Sequence, residues 1–515
     1  MVKKISYTLI ICVVALFFSL ALGHEVLWTE EINVCSSKTP IIGEPEISVS
    51  QAQKWAQSRD AHQRFIDIAP TYWEYGRLMG IRPEVLYAQS AKETAFGRYG
   101  GVVEPCFNNW AGIKTAEGGP CDCPDAHEKF DTPEDGVRGH FNHIGAYVDI
   151  DPVGEPHGRY YVVLTTSWAG TIKYVEELGG RWAPSSTYGE SIVNDFLRGL
   201  LRTEVLVSVK SKNRIFGESR YRTAMEISRE AFPNSQSADA VVLARGDEFS
   251  DALAGSPFAY HSNGPLLLTP ADRLHDDTAA EIERVLRSDG TVYILGGDAA
   301  ISAEVQYEIE ENYDYEVKRL AGNDRYETAV KVGKKFLKKE EGNFPVFMAT
   351  GENFPDALAV SSVAASGGGI TLLSPSSSLD VKTEEFLRSY KDDLEEVYVV
   401  GGASVLSEEV YEESGAGERI AGNNRWETAV NLAERFFEGP SNVTIASGLD
   451  FPDALSGGAY AATLEAPMLL AGPTDMPLSV VDYLNSLSSD LLPHVFIFGG
   501  ANAIGEEIMK QMEEK

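Results

Sequence analysis

Glu93 stands near the end of the stretch Tyr87-Ala88-Gln89-Ser90-Ala91-Lys92-Glu93-Thr94-Ala95-Phe96-Gly97, whose other residues are mostly small or apolar. Gln89, four residues earlier, shares its face of a helix. A carboxyl at the end of a partly apolar helix loses water and holds its proton to higher pH. Such a group can act as a general acid on a glycosidic oxygen. Taken alone, a helical glutamate is usually a solvated surface charge, so the surrounding residues decide. His140 and His143, three apart, have no third ligand in the pattern and read as ordinary helix residues. Cys106, Cys121, Cys123 and His127 form a rival metal set, but their spacing fits no usual zinc pattern.

The elements that position Glu93 follow from local signals. Arg82-Pro83-Glu84 opens its helix, since proline suits the first turn and an acid suits the dipole there. The pattern predicts a helix to about Phe96. Residues 51–79, 137–147 and 191–201 also read as helical. A Gly/Cys/Pro-rich excursion fills 97–133. Residues 45–205 therefore form a mainly α domain, with a boundary near 205–213.

Further segments follow in order. Asn108-Asn109-Trp110-Ala111-Gly112-Ile113-Lys114 comes first, then Phe130-Asp131-Thr132-Pro133-Glu134-Asp135-Gly136-Val137, then Trp182-Ala183-Pro184-Ser185-Ser186-Thr187-Tyr188-Gly189. With the Glu93 stretch they resemble the glucosaminidase domain of bacterial autolysins, similar to glycoside hydrolase family 73, over roughly residues 50–201. The resemblance implies a lysozyme-like α fold and cleavage of a peptidoglycan glycan strand beside N-acetylglucosamine. It makes Glu93 the general acid, with Gln89, Asn109, Trp182 and Tyr188 as substrate-binding residues. One departure concerns the second acid. Glu117, Asp122, Asp125 and Glu128 are all candidates, and none matches the family pattern cleanly. A nucleophile belongs ~5–5.5 Å from the acid and a base ~6.5–9.5 Å away. Substrate assistance, or a lytic transglycosylase working with one glutamate, are the alternatives; a non-catalytic surface protein is another. No cofactor or metal is implied.

The leader bears on location. Lys3 and Lys4 precede an apolar run, and Ala21-Leu22-Gly23 supplies small residues for cleavage, so residues 1–23 read as a signal peptide. No small-residue pair precedes Cys12, which does not indicate a lipoprotein. Cys35, Cys106, Cys121 and Cys123 then remain, an even number in an oxidising compartment. Cys121 and Cys123 are too close in sequence to pair without strain. The expectation is Cys106 bonded to one of them and Cys35 to the other. The 515-residue chain carries 44 basic and 77 acidic residues, a net charge of −33. That field repels nucleic acid and anionic membranes. It repels anionic wall polymers too, so such a ligand needs local arginines, backbone amides or a bridging cation.

The second half repeats itself. Arg214-Ile215-Phe216-Gly217-Glu218-Ser219-Arg220-Tyr221-Arg222-Thr223-Ala224 returns beginning at Arg319 and again at Arg419, with Arg325-Tyr326 and Arg425-Trp426 matching Arg220-Tyr221. Phe249-Ser250-Asp251-Ala252-Leu253 returns as Phe354-Pro355-Asp356-Ala357-Leu358 and Phe451-Pro452-Asp453-Ala454-Leu455. Gly296-Gly297, Gly401-Gly402 and Gly499-Gly500 close each unit. Three landmarks recurring in register signal three homologous units. Apolar runs at 240–244, 265–269 and 291–295 alternate with helices expected near Asp251, at 276–287 and from Ser302. That alternation predicts mostly parallel sheets covered on both faces. The units are expected at 213–312, 317–414 and 418–515. Asp251, Asp356 and Asp453 read as helix-capping residues. The glycine pairs read as tight turns or anion sites. The repeated arginines, with the aromatics after them, could hold a sugar or phosphate or pack on a neighbour. The triplet resembles the cell wall binding repeat, type 2, of Gram-positive surface proteins. It implies pseudo-threefold packing and attachment to an anionic secondary cell-wall polymer. A wall-held hydrolase, secreted and free of the membrane after leader cleavage, is the expectation.

Overall fold

A computed structural model describes residues 38–120, 122–337, 343–487 and 492–515. The expected leader 1–23, Cys35 and Cys121 lie outside them.

The first half is mainly α. The single helix expected over 51–79 is three: Val49–Ser58, Gln63–Asp67 and Ala69–Met79. The polar run after Ser58 breaks it. Asp60 turns left-handed, and the His62 ring accepts the backbone N–H of Arg64 to start the next helix. Ser48 and Gln51 form a capping box on the first helix, a pairing that satisfies two donors the helix cannot use itself. Pro83–Thr94 is the central helix, and every residue from Pro83 to Ala91 is buried. It ends at Ala95, in left-handed conformation. Pro133–Val148 packs nearby, capped by Thr132. The helix expected at 191–201 exists, with a π-helical middle at Ile192–Leu197. Trp55, Phe65, Tyr72, Trp73, Tyr87 and Phe141 fill the core.

Among the described residues, the second half holds three four-stranded, all-parallel sheets. The first runs Leu266–Thr269, Ala238–Arg245, Leu286–Leu295, Glu316–Leu320. The second runs Ile370–Ser374, Phe344–Thr350, Leu394–Val400, Glu418–Ile420. In both, the last strand comes from the start of the next sequence repeat. The third runs Met468–Ala471, Asn442–Ser447, His494–Phe498 and closes with Ser211–Ile215, from the start of the first repeat. The array is thus a ring. Val207–Val209 pairs with Met512–Glu514 beside that closure.

The landmark residues explain the exchange. Arg214 donates to the carbonyls of Gly499 and Ile504, at 3.0 and 2.6 Å. Arg319 does the same to Gly296 and Ile301, and Arg419 to Gly401 and Leu406. Each arginine ties a donated strand to the glycine-pair turn of the sheet that receives it. Phe249, Phe354 and Phe451 meet at the pseudo-threefold axis, with ring centroids 5.5–5.8 Å apart.

The repeated aspartates are not caps. Asp356 and Asp453 sit one residue inside Pro355–Ser366 and Pro452–Thr463, with no side-chain cap bond. Asp251 precedes its helix, which begins only at Gly255 because Ser250 replaces the helix-opening proline. All three carboxylates press on a glycine-pair turn. At Gly296 and Gly401 an added Cβ would lie 2.6 and 2.7 Å from the Asp251 and Asp356 carboxylates. Those glycines also have φ of 90° and 110°. The pairs are therefore tight turns filled by a carboxylate, which leaves no room for an anion.

The two halves touch. Ser50 donates to Asp475 through its backbone N–H at 2.7 Å and its hydroxyl at 2.6 Å. Lys54 pairs with Asp482 at 3.2 Å.

Candidate functional site

Glu93 is the next-to-last residue of the Pro83–Thr94 helix and opens to solvent. The helix stops at once because Ala95, Phe96 and Gly97 all take positive φ. Tyr188 donates its hydroxyl to Glu93 Oε1, and the Trp182 indole also bonds the carboxyl. Burial raises the Glu93 pKa above the usual carboxylate range, and these two bonds and the Lys92 charge only partly offset it. The residue is exposed through one face of a cleft, while protein displaces water from the rest of its carboxyl. The helix C-terminus, with its unpaired carbonyls, disfavours the anion further.

Gly112 brings backbone against the other oxygen. A Cβ there would lie 3.2 Å from Glu93 Oε2, and its φ is +61°. Asn109 holds this loop. Its amide donates to Ile113 O and Glu128 O at 2.8 and 3.0 Å, and its oxygen accepts Ile113 N–H at 2.9 Å. Asn109 is fully buried, so it shapes the groove wall and does not face the groove. Gln89, expected to bind substrate, likewise lies behind the groove. It is fully buried, and both ends of its amide are engaged inside, with Tyr188 Oη at 3.0 Å and His140 Nε2 at 3.1 Å. Trp182 and Tyr188 both reach the Glu93 carboxyl.

A cavity of about 150 Å³ adjoins this point, sharing Gly112 and Trp182. Tyr147 and Trp168 extend its aromatic wall, their rings 4.8 Å apart. Arg159 and Arg181 also line it. Sequence reasoning missed all four. Tyr147, Trp168 and Arg159 lie outside the quoted motifs and Arg181 just precedes one, and only the fold gathers them beside Trp182 and Gly112.

The second-acid candidates separate by burial. Asp122, Asp125 and Glu117 are exposed, and Asp125 lies 3.8 Å from Lys129. Glu128 is half-buried, with its pKa raised by burial and by the Glu117 charge. Its backbone N–H donates to Ile113 O, beside the bridge between Lys114 and His127.

Cys106 and Cys123 are free thiols, so of the two arrangements expected, the one that pairs Cys106 with Cys123 is not formed. Cys106 is exposed on a short turn and donates to Glu104 Oε2 at 3.7 Å. Bonds through Cys35 or Cys121 fall outside the described residues. His127 Nδ1 is occupied by the Cys123 carbonyl at 3.0 Å.

In the repeats, Arg220, Arg325 and Arg425 each donate to a glycine carbonyl, those of Gly246, Gly351 and Gly448. Arg220 also lies over Phe451, and Arg325 over Phe249. They pack the units together.

The family model for cell wall binding domain 2 matches residues 214–306, 319–411 and 419–509, more than half of the chain. The chain belongs to the cell wall binding domain 2 family. Ahead of these repeats, residues 69–196 match the glucosaminidase family, described as mannosyl-glycoprotein endo-beta-N-acetylglucosaminidase. That match spans Glu93, Trp182 and Tyr188.

Among relatives, the chain is 27% identical over 318 residues to N-acetylmuramoyl-L-alanine amidase LytC of Bacillus subtilis (strain 168), covering 62% of this chain and 61% of that protein. It is 26% identical over 312 residues to the amidase enhancer of the same organism, covering 60% and 41%. The chain thus spans less than two thirds of either relative. Among solved structures, Cwp8 from Clostridium difficile superposes with a TM-score of 0.53 at 26% identity, over 64% of this chain and 55% of Cwp8. Cwp6 from Clostridium difficile gives 0.52 at 26% identity, over 57% and 46%.

Proposed function

We propose that this chain is a peptidoglycan hydrolase that cleaves the glycan strand beside N-acetylglucosamine and is held in the wall by its three repeats. The observation that carries this reading is Glu93, with its pKa raised by burial, at the open face of a cleft between Tyr188, Trp182 and the Gly112 loop. A carboxyl that holds its proton to higher pH than usual can give it to the glycosidic oxygen as the bond to the anomeric carbon breaks. Aromatic faces at Trp182 and Trp168, backed by the buried Tyr147, suit the apolar faces of a sugar ring. Arg159 and Arg181 suit the carboxylates that peptidoglycan carries.

Glu128 is the second carboxyl we favour, because it is half-buried, with its pKa raised by burial, whereas the other three candidates are exposed. It would take the proton of an attacking water or attack the anomeric carbon itself, according to its separation from Glu93. The relatives named as amidases would instead point to the bond between glycan and peptide. The glucosaminidase match over the Glu93 cleft favours the glycan. Retention in the wall, through an anionic polymer bound by the repeats, and export of the chain complete the proposal.

The test is digestion of purified peptidoglycan by the wild type and Glu93→Gln, with released ends identified by mass spectrometry. Reducing N-acetylglucosamine ends from the wild type alone are expected. Anhydromuramyl ends would make it a lytic transglycosylase. Free peptides would make it an amidase. No release from several wall types would leave a non-catalytic surface protein.

A further inference from the structure

Behind Glu93 runs a file of buried polar side chains that proton donation does not itself require. Tyr72 Oη lies 3.1 Å from His140 Nδ1. His140 Nε2 lies 3.1 Å from Gln89 Oε1. Gln89 Nε2 lies 3.0 Å from Tyr188 Oη, which reaches Glu93. With Glu93 ionised, the direction of every link is fixed. The carboxylate only accepts, so Tyr188 donates to it. Tyr188 then accepts from the Gln89 NH₂ group. The Gln89 oxygen therefore faces His140 Nε2, which must carry the ring's hydrogen. Nδ1 is left to accept from Tyr72. The file is one-way, and it ends on the acid.

His140 suits its place. It is fully buried, and burial pushes its pKa down to about 3, so the ring is neutral with one hydrogen to give. It faces Tyr72 from one helix, Gln89 from a second, Trp182 at 5.7 Å from a loop, and His143 on its own helix. His157 and Arg159 lie beyond, toward His143. Glu93 itself is faced by Tyr188, Trp182 and Lys92.

We propose that His140 is a positioning residue for Glu93: its Nε2–H fixes which end of the Gln89 amide meets Tyr188, and so aims the Tyr188 hydroxyl at the acid. Without that donor the amide can turn over and present its oxygen to Tyr188. The hydroxyl hydrogen then leaves Glu93. The carboxylate loses a stabilising bond, and the acid holds its proton to higher pH. This inference rests on the reading of Glu93 as the acid.

The test uses the full chain on purified peptidoglycan, with rates of new reducing ends measured across pH for five proteins. These are the wild type, Glu93→Gln, His140→Leu, His140→Gln and Tyr72→Phe. His140→Leu should move the alkaline limb of kcat/KM upward by about one pH unit and lower kcat about tenfold. His140→Gln, whose amide can still donate toward Gln89, should return the limb toward its wild-type position. Tyr72→Phe should move it the same way as His140→Leu, by less. Should His140→Leu fail to fold, the Tyr72→Phe shift decides. An unmoved limb in the folded variants, with Glu93→Gln inactive, overturns the role of His140 alone, since a structural role lowers rates without moving the limb. A wild-type rate in Glu93→Gln overturns the acid assignment, and the inference with it.

Discussion

The two halves use charged side chains in opposite ways. In the repeats, each thrice-repeated arginine or aspartate is spent on the protein's own backbone. Arg214, Arg319 and Arg419 hold carbonyls of glycine-pair turns, and Asp251, Asp356 and Asp453 fill the space beside them. In the module, the single-copy Glu93 is left open on one side, while the groups behind it point their donors toward it. Repetition here marks assembly, and the unrepeated, half-sheltered carboxyl is the one we propose for chemistry.

That contrast can be broken in order of expected effect. Glu93→Gln should lower glycan cleavage by about 10²–10⁴-fold with little change in melting temperature, read by muropeptide release beside a thermal scan. A matching loss of stability would make Glu93 a structural residue like those of the repeats. Gly401→Ala should do the reverse. Its φ of 110° and the adjacent Asp356 carboxylate predict a loss of several kcal/mol, at least the ~1–3 kcal/mol of strained backbone alone, seen in urea titration while cleavage of soluble glycan persists. Arg319→Ala takes a donor from the part-buried carbonyls of Gly296, Ile301 and Ser302, and about 1–3 kcal/mol is expected. The same loss at Arg214 or Arg419 would confirm that all three clasp strands alike. Tyr188→Phe should cost about tenfold in kcat and move the alkaline limb upward, because one bond to the Glu93 carboxylate is gone.

The smallest effect concerns Asp453. Burial, reinforced by the Asp450 charge, raises its pKa to about 6 against the Arg220 charge and a Thr223 bond. A folded-state pKa above the ordinary 3.8 favours folding while the group is protonated. That contribution is complete below about pH 4 and is lost as pH rises through 6. Asp453→Asn should flatten this slope between pH 4 and 6, and an unchanged slope would assign it to other groups.

Much of this was legible in the sequence. The strand–helix alternation of the repeats needs only local patterning, and the structure follows it closely. The Pro83 start of the acid's helix was legible for the same reason. The ring closure was not, because a periodic sequence does not say where a unit begins. Only the structure shows Glu316–Leu320 and Glu418–Ile420 serving the preceding sheets. The Gln51–Met79 run hid its break, since Asp60 and His62 look like ordinary surface residues until their backbone angles are known. His140 read as an idle histidine because Tyr72, Gln89 and Tyr188 are far from it in sequence. Gln89 and Asn109 were placed in the groove by motif, and burial moves them behind it.

The closed ring has a consequence for how such a chain can evolve. In an open stack of repeats, units can be gained or lost at either end, since every end is a free edge. Here the strand opening the first unit is the last strand of the third sheet, and the edge of one unit is always filled by its successor. Duplicating or deleting one unit would change the angle through which the array must turn, and the Ser211–Ile215 strand would no longer meet His494–Phe498. Gaining or losing one unit in this half would therefore leave a strand edge unpaired, and the three units stand or fall as a block.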